Sequence, residues 1–291
     1  MYEINRCLHV ACFIALLGSA ALVQGDQSWP SFQGPRGSGA TTERLPQELG
    51  EKNISWKRML PGYGLSTPVV HSNKVFITCS SGPEQDRLRV LCIDGTKGQS
   101  LWERQFWATG RTMCHKKTSV AAPTPCTDGE RIYALFSSND LVCLDFEGNL
   151  IWLRGITADY PNVSNSLGMA SSLVVTDGVV VAQVENDSES YAIGIDAETG
   201  KNIWKIEREK SANWTSPLVL SPGLVGLQSK SGIDAVDTAD GHFLWKYDGG
   251  ASTIPSSCRK GNVLFVPSKG LTALAYNLSS QKSPKQLWSS S

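Results

Sequence analysis

At its most regular point the sequence reads Ala192-Ile-Gly-Ile-Asp-Ala-Glu-Thr-Gly-Lys-Asn-Ile-Trp204. An apolar strand comes first, an Asp follows it, a short turn closes at Gly, and a second strand ends in Trp. The carboxylate of Asp196 can accept hydrogen bonds from backbone N–H groups of the turn, and Gly200 can take the positive φ that such a turn requires. The stretch therefore predicts a β-hairpin that offers the large apolar face of Trp204 for packing.

The same hairpin recurs at 90–102, 141–152 and 233–245, and a degenerate copy, with Asn277 in place of the Asp, ends at Trp288. The tryptophans that end these strands, from Trp56 onward, lie 41 to 52 residues apart, a period typical of four-stranded propeller blades. We interpret the repeat residues as turn and packing residues, because calcium ligands or catalytic acids are rarely duplicated once in every repeat. They are Asp94, Gly98, Trp102, Asp145, Gly148, Trp152, Asp196, Gly200, Trp204, Asp237, Gly241 and Trp245.

Each hairpin is preceded by two further apolar segments, and polar turns separate them as antiparallel blades require. Trp56 stands in an expected opening strand, Ile54-Ser-Trp-Lys57, that has no such partners before it. No stretch after residue 26 shows a sustained helical period, so the sequence predicts an all-β fold of four-stranded blades. The segments expected to form the first strand of each blade are 67–70, 122–125, 171–175, 216–220 and 254–255.

The pattern from Asp196 to Trp204 closely resembles the tryptophan-docking repeat of pyrroloquinoline-quinone (PQQ) β-propellers, and the resemblance covers about residues 54–288. That family includes the quinoprotein alcohol dehydrogenases and the cofactor-free, BamB-like exported bacterial proteins. The leader Ser28–Gly39 also resembles a segment ahead of many exported propellers of this kind. The resemblance implies a ring of seven or eight blades. Six tryptophan strands accompany five three-strand sets here, so we expect about five blades of an incomplete ring, either a fragment, a truncated product or part of an assembly that closes between chains.

The chain divides into a predicted signal peptide (1–25), an extended N-terminal segment (26–53) and the propeller repeats (54–291). Residues 7–23 form an almost uninterrupted apolar run before a polar turn, which is the layout of a cleaved signal. Their length also leaves open an N-terminal membrane anchor. We expect a periplasmic, cell-envelope or secreted protein with no membrane span after signal cleavage.

Charge and cysteine content exclude several kinds of site. Lys+Arg and Asp+Glu number 27 each, so there is no basic field for nucleic acid. Cys92 and Cys143 occupy the same repeat position and are expected to be small buried strand residues. Export permits disulfides, and a Cys114–Cys126 bridge stays open.

The most distinctive candidate for binding is the long connection from Arg104 to Val120. Its aromatic and cationic content suits a protein contact surface, although a plain solvated loop is the alternative. A second irregular stretch, Asp159–Ser166, is either a binding loop or a linker. The candidate residues of the first loop are Trp107, Arg111, His115, Lys116 and Lys117.

Two functions remain on the sequence alone. The first is a non-catalytic, BamB-like scaffold without a cofactor, whose loops bind protein partners. The second is a PQQ-dependent quinoprotein dehydrogenase, or a PQQ-binding remnant of one. The family resemblance implies that such an enzyme needs calcium held by Glu, Asn and Asp, and many members carry two adjacent cysteines. The sequence has no Cys-Cys pair and no residues that match that calcium set. No hydrolase motif is present.

Overall fold

The computed structural model describes residues 28–35, 37–42, 44–48, 50–164, 167–278 and 282–290. The predicted signal peptide lies outside these residues. None of the helices within them is long and apolar enough to cross a membrane.

Five antiparallel sheets follow one another along the chain, each with its strands in sequence order, and we call them blades 1 to 5. Blade 1 contains β1 (Ser28–Trp29), β2 (Val69–His71), β3 (Lys74–Ser81), β4 (Arg87–Asp94) and β5 (Ser100–Trp107). Blade 2 contains β6 (Cys126–Thr127), β7 (Arg131–Leu135), β8 (Asp140–Asp145) and β9 (Leu150–Gly155). Blade 3 contains β10 (Val174–Thr176), β11 (Val179–Val184), β12 (Tyr191–Asp196) and β13 (Asn202–Glu207).

Blade 4 contains β14 (Leu218–Ser221), β15 (Leu224–Ser229), β16 (Gly232–Asp237) and β17 (Phe243–Tyr247). Blade 5 contains β18 (Cys258–Lys260), β19 (Val263–Pro267), β20 (Leu271–Ala275) and β21 (Lys285–Ser289). The helical segments of the described residues are α1 (Ile156–Asp159) and a 3₁₀ turn (Glu51–Asn53). The predicted all-β, four-stranded blade architecture is confirmed.

The strands β2, β6, β10, β14 and β18 are the inner strands, because β10 contacts both β6 and β14 of the adjacent blades. All five begin later than predicted, and in blades 2 and 5 the strand and the predicted segment share no residue. Residues 122–125 and 254–255 lie outside the ladders, since proline has no N–H to donate to a neighbouring strand. In both places the strand starts only after the last proline, at Cys126 and at Cys258.

Four hydrophobic clusters join the blades, one at each interface between consecutive blades. Each fully buried large side chain contributes about 1.5–3 kcal/mol relative to exposure. Because every cluster takes side chains from two blades, each blade is stabilised mainly by its neighbours. Representative pairs, from the first interface to the fourth, are Phe76 with Phe136, Tyr133 with Tyr191, Val181 with Leu227, and Trp245 with Leu274.

The leader, residues 28–39, lies along the inner strands. Its first residues form β1, which pairs with β2 of blade 1. The Pro30 carbonyl then accepts a hydrogen bond from the N–H of Thr127 in blade 2 at 2.9 Å, and the Gly37 carbonyl accepts one from the N–H of Arg259 in blade 5 at 3.0 Å. With the inner strands of blades 2, 3 and 4 the leader encloses a cavity of about 120 Å³.

Candidate functional site

The Asp and Gly of each repeat form the turn between the third and the outer strand, which we call the socket. The Asp196 carboxylate accepts hydrogen bonds from the backbone N–H and the hydroxyl of Thr199, both at 2.7 Å. These bonds favour the charged form and lower the pKa of Asp196. The socket glycines have φ between +67° and +82°, where a side chain is strained. The sockets are Asp94–Gly98, Asp145–Gly148, Asp196–Gly200 and Asp237–Gly241.

Each socket receives the tryptophan of the preceding repeat. The indole Nε1 donates a hydrogen bond to the carbonyl of the residue after the socket Asp, and the ring lies against the socket Gly. A Cβ on that Gly would come within 2.5 to 2.9 Å of the ring, so Gly is needed for close approach as well as for its φ. The Nε1–O distances are 2.7 Å for Trp56 to Gly95, 2.9 Å for Trp102 to Phe146, 3.0 Å for Trp152 to Ala197 and 2.7 Å for Trp204 to Thr238.

The last two tryptophans depart from this pattern. Trp245 is buried beside Tyr276 of blade 5, with 5.8 Å between ring centroids. Its Nε1 has no hydrogen-bond partner among the described residues. Trp288 lies in β21, after which no further blade is described, and it is 47% exposed.

An arginine two residues after the tryptophan adds a contact that the sequence reasoning missed. Arg58, Arg104 and Arg154 each donate to the carbonyl of the next socket Gly, at 3.2, 2.5 and 2.8 Å. The sequence feature that could have identified these arginines is a Trp-x-Arg spacing after Trp56, Trp102 and Trp152. The tryptophans of blades 3 to 5 lack it.

The expected opening strand at 54–57 is not part of any sheet. Trp56 and Arg58 dock on the blade 1 socket as outer-strand residues do. However, within the described chain residues 54–58 pair with no strand, because no three-strand set lies beside them. The prediction of an opening strand was therefore wrong, while its tryptophan occupies the expected socket.

The predicted binding loop begins later than expected, because β5 continues to Trp107. The connection to β6 therefore spans residues 108–125. Trp107 is 61% exposed, and the guanidinium of Arg87, its ladder partner, lies 5.4 Å from its ring centroid. A cation over an aromatic face stabilises this orientation.

Hydrogen bonds join this connection to two others. Gln85, in the β3–β4 turn, accepts a hydrogen bond from the N–H of Val120 at 3.1 Å. The N–H of His115 donates to the Leu167 carbonyl, before blade 3, at 3.0 Å. Residues 83–87, 107–117 and 167 thus form one continuous area, which we call the loop surface.

The loop surface combines exposed apolar side chains with a cationic rim. The apolar ones, Trp107, Met113 and Leu167, are 48 to 61% exposed. The structure places all five residues predicted for this loop on this surface, and it adds Arg87 and Leu167, which sequence reasoning missed. The exposed charged residues and the exposed histidine are Glu84, Arg87, Arg111, His115, Lys116 and Lys117.

The second predicted stretch, Asp159–Ser166, is held against blade 3 as far as it is described; Asn165 and Ser166 lie outside the described residues. The hydroxyl of Ser188 donates to the Asn162 carbonyl at 2.5 Å, and the N–H of Ser164 donates to Asn186 at 3.4 Å. Both acceptor and donor partners belong to the β11–β12 turn, so this stretch packs as a linker between blades 2 and 3.

A buried ionic network lies between blades 3 and 4. Arg208 donates to Glu185 and to Asp234, both at 2.6 Å, and Asn213 donates to the second oxygen of Glu185 at 2.8 Å. Burial raises the pKa of Glu185 even though Arg208 opposes the shift. All the donors and acceptors face one another, which indicates a structural role.

The cysteines of the described residues are free thiols, so a Cys114–Cys126 bridge is not formed. Cys114 packs at the interface of blades 1 and 2, whereas Cys126 is buried between blades 2 and 3. Cys92 and Cys143 are buried, and their burial raises the pKa of each thiol to about 12. A thiol with that pKa is unreactive near neutral pH.

The described residues do not fit a calcium-bound quinone. No three His, Cys, Asp or Glu side chains converge among them, whereas calcium takes roughly six to eight oxygen ligands. The two buried carboxylates are already occupied by protein donors. Asp140 accepts from Thr109 at 2.5 Å and from Ser138 at 2.6 Å, and Glu185 belongs to the network above.

Comparison with protein families gives one clear match. The family model described as outer membrane protein assembly factor BamB matches residues 50–247 and 164–289. Two curated proteins named outer membrane protein assembly factor BamB are similar to the chain. The one from Moranella endobia (strain PCIT) is 24% identical over 212 residues, covering 70% of this chain and 50% of the relative. The one from Yersinia pestis is 22% identical over 232 residues, covering 66% and 55%. The chain spans about half the length of these relatives.

Solved structures show the same fold. BamB from Moraxella catarrhalis aligns with a TM-score of 0.51 and 16% identity over 81% of this chain and 63% of that one. Quinohemoprotein alcohol dehydrogenase from Comamonas testosteroni aligns with a TM-score of 0.62 and 16% identity over 91% and 49%. At such identity the likeness concerns the fold alone.

Proposed function

This chain belongs to the family of outer membrane protein assembly factor BamB, and on that premise we propose that it is a non-catalytic β-propeller scaffold of the bacterial periplasm or cell envelope. The family match carries the proposal. The signal-peptide layout of residues 1–25 supports export, and the names of the curated relatives support a role in protein assembly. Protein partners are the expected ligands.

The loop surface is the part of the molecule best suited to hold such a partner. Exposed aromatic and Met side chains supply apolar contact area, and Arg supplies bidentate hydrogen bonds. The cations of the rim, Arg87, Arg111, Lys116 and Lys117, outnumber the exposed carboxylate of Glu84. We therefore expect a partner segment with an apolar residue at its centre and acidic residues around it.

Site-specific photocrosslinking tests this assignment. The full chain, expressed in bacterial cells, carries p-benzoylphenylalanine at Trp107 or, as a control, at Lys201. Lys201 is exposed in a socket turn, at the opposite end of the strands. We expect discrete crosslinks to envelope proteins from position 107 and none from position 201. Equal crosslinking from both positions would argue against a specific loop surface.

A charge-matched pair of variants strengthens the test. Lys116→Ala with Lys117→Ala should weaken the crosslink from position 107. Lys97→Ala with Lys201→Ala removes the same charge from exposed socket residues and should leave it unchanged.

A thermal melt with and without PQQ and calcium distinguishes the proposed scaffold function from a PQQ-dependent dehydrogenase. A ligand that binds the native state at about 100 times its Kd stabilises it by about 2.7 kcal/mol. We expect an unshifted midpoint. A clear rise in the midpoint would contradict the absence of a cofactor and favour the dehydrogenase.

A further inference from the structure

We propose that the inner edge of β10, together with the cavity beside it, is a docking site for a short extended peptide of a partner protein. The inner strands of blades 2 to 5 each end their sheet, so one side of their backbone faces no strand of the same blade. The leader bonds to that side in blades 2 and 5 and leaves it open in blade 3. The site lies away from the loop surface, and its assignment does not depend on the proposed function.

One position of each inner strand carries the backbone groups that face this edge. In blade 3 the ladder runs from Trp204 through Gly194 and Val181 to Val174, and Val175 is the next residue. Alternate residues of an antiparallel strand direct their N–H and C=O to opposite sides, so residues at the same count share one orientation. The same count in the other blades gives Val70, Thr127, Val219 and Arg259.

The leader shows which side these groups face, since it bonds to three of the five residues. Trp29 pairs with Val70 in the ladder of β1 and β2. The N–H groups of Thr127 and Arg259 donate to leader carbonyls at 2.9 and 3.0 Å. The N–H and C=O of this position therefore point away from their own sheet and toward the leader.

Blades 3 and 4 present the same groups without a bond to the leader. Among the described residues, neither the N–H nor the C=O of Val175 has a partner beyond blade 3, and the N–H of Val219 has none beyond blade 4. The Val219 carbonyl is occupied, because it accepts a hydrogen bond from Nε of Arg259 at 2.8 Å. Val175 therefore offers both a donor and an acceptor at this edge.

Space for a ligand lies directly beside Val175. This residue lines the cavity of about 120 Å³, whose walls also include the apolar side chains of Phe32, Pro35 and Leu218. A water molecule takes about 30 Å³ of liquid volume, so the cavity has room for one small residue such as alanine. An open groove along Val175 and Thr176 continues from it and gives the rest of a peptide a way out.

An extended peptide is the ligand that these groups select. One extended residue can offer its C=O to the Val175 N–H and its N–H to the Val175 C=O, as hydrogen-bonded pairs of an antiparallel ladder do. Trp29 opposite Val70 is the same kind of pair within this chain. A carboxylate or a phosphate would satisfy the donor alone, and a hydrocarbon would satisfy neither group.

Nuclear magnetic resonance of the full chain measures binding at the amide itself. The probe is N-acetylalanine N-methylamide. The control probe is acetyl-lactic acid N-methylamide, in which an ester oxygen replaces the alanine N–H. At about nine-tenths saturation with the first probe, hydrogen exchange of the Val175 N–H should slow about tenfold, because only the free fraction exchanges. The Thr127 and Arg259 amides already donate to the leader, so their exchange should not change.

Val175→Pro provides the matched variant. It removes the N–H at the inner edge, and the ladder with β11 should survive because that N–H is not part of it. The amide probe, followed at the Val219 signal, should bind about tenfold more weakly, which corresponds to one hydrogen bond. Slow exchange of the Thr127 amide reports that the variant is folded. If it is not, the ester probe decides in the unaltered chain, where it should bind about tenfold more weakly for the same reason.

Three results would overturn the proposal. The first is equal affinity for the amide and the ester, which would mean that the cavity takes up apolar groups without pairing. The second is the absence of a saturable shift at Val175. The third is a Val175 amide that exchanges as slowly as that of Thr127 before any probe is added, because another segment or a second copy of the chain would then already cover the edge.

Discussion

Gly200→Ala tests the interpretation that each socket needs its glycine in order to accommodate the tryptophan of the preceding repeat. Gly200 has φ +71°, and an added Cβ would lie 2.7 Å from Cδ2 of the Trp152 ring. The substitution therefore destabilises the folded state in two ways. It puts a side chain on a residue in the left-handed region, and it forces the Trp152 ring to shift. Gly178 offers a matched control, since its φ is +72° and nothing lies within 4 Å of its added Cβ.

The expected magnitudes follow from these two costs. A non-glycine residue in the left-handed region costs about 1–2 kcal/mol, and both variants carry this cost. Overpacking a fitted site adds about 1–3 kcal/mol, and only Gly200→Ala carries it. The smaller unfolded-state entropy of Ala offsets part of the cost equally in both variants. We expect Gly200→Ala to lower the free energy of unfolding by about 1–3 kcal/mol more than Gly178→Ala does.

Urea titration followed by far-UV circular dichroism measures both variants, alone and with Trp152→Ala. Removing the indole should abolish the excess cost of Gly200→Ala, because neighbours in contact are not additive. The reasoning is refuted if the two glycine variants destabilise equally, or if the excess cost survives the loss of the ring.

Three further outcomes are expected. Gly37→Ala places a Cβ 2.5 Å from Cδ1 of Leu218 in blade 4, whereas the Cβ of Gly39→Ala, at nearly the same φ, has nothing within 4 Å. A lower melting temperature for Gly37→Ala alone is expected, because the leader packs on the inner strands. Arg208→Met leaves a buried carboxylate unpaired and should cost about 3–5 kcal/mol in urea titration, whereas Lys230→Met breaks an exposed pair and should cost at most about 1 kcal/mol. Because the turn hydrogen bonds lower the folded-state pKa of Asp196, the stability that its carboxylate contributes is present above the ordinary pKa of 3.8 and is lost as the pH falls through the lower folded value. Urea midpoints that do not change between about pH 5 and pH 2 would contradict these hydrogen bonds.

The sequence predicted the contacts that recur and missed those that occur once. The hairpin ending at Trp204 could be assigned because its Asp, Gly and Trp return at a steady period, and each copy packs on the next in the same way. The same regularity explains the error at Ile54–Lys57, since the repeat tryptophan predicted a strand there although no partner strands come before it in the sequence. Proline displaced the inner strands of blades 2 and 5 by a few residues, an effect that apolar content alone does not show.

The loop surface illustrates the second limit. Trp107 and Lys116 could be chosen from composition, because aromatic and cationic residues suit protein contacts. Leu167 could not, because its place depends on one backbone hydrogen bond from His115 across about 50 residues of chain, and no periodic pattern marks such a bond. Candidate binding residues within one connection were therefore accessible to sequence reasoning, while the surface formed by three connections was not.

The leader makes contacts that occur once and that the repeat pattern does not predict. A repeat pattern specifies how one blade meets the next, so it leaves the relation between blade 1 and blade 5 undetermined. Residues 28–39 contact both, through β1 in blade 1 and through the hydrogen bonds of Gln33 to Ser257 and of Arg259 to Gly37 in blade 5. They also line a cavity together with the inner strands of blades 2, 3 and 4, which lie between these two blades. The segment outside the repeats thus joins the inner strands of blades 1 and 5 through contacts that the repeats themselves do not predict.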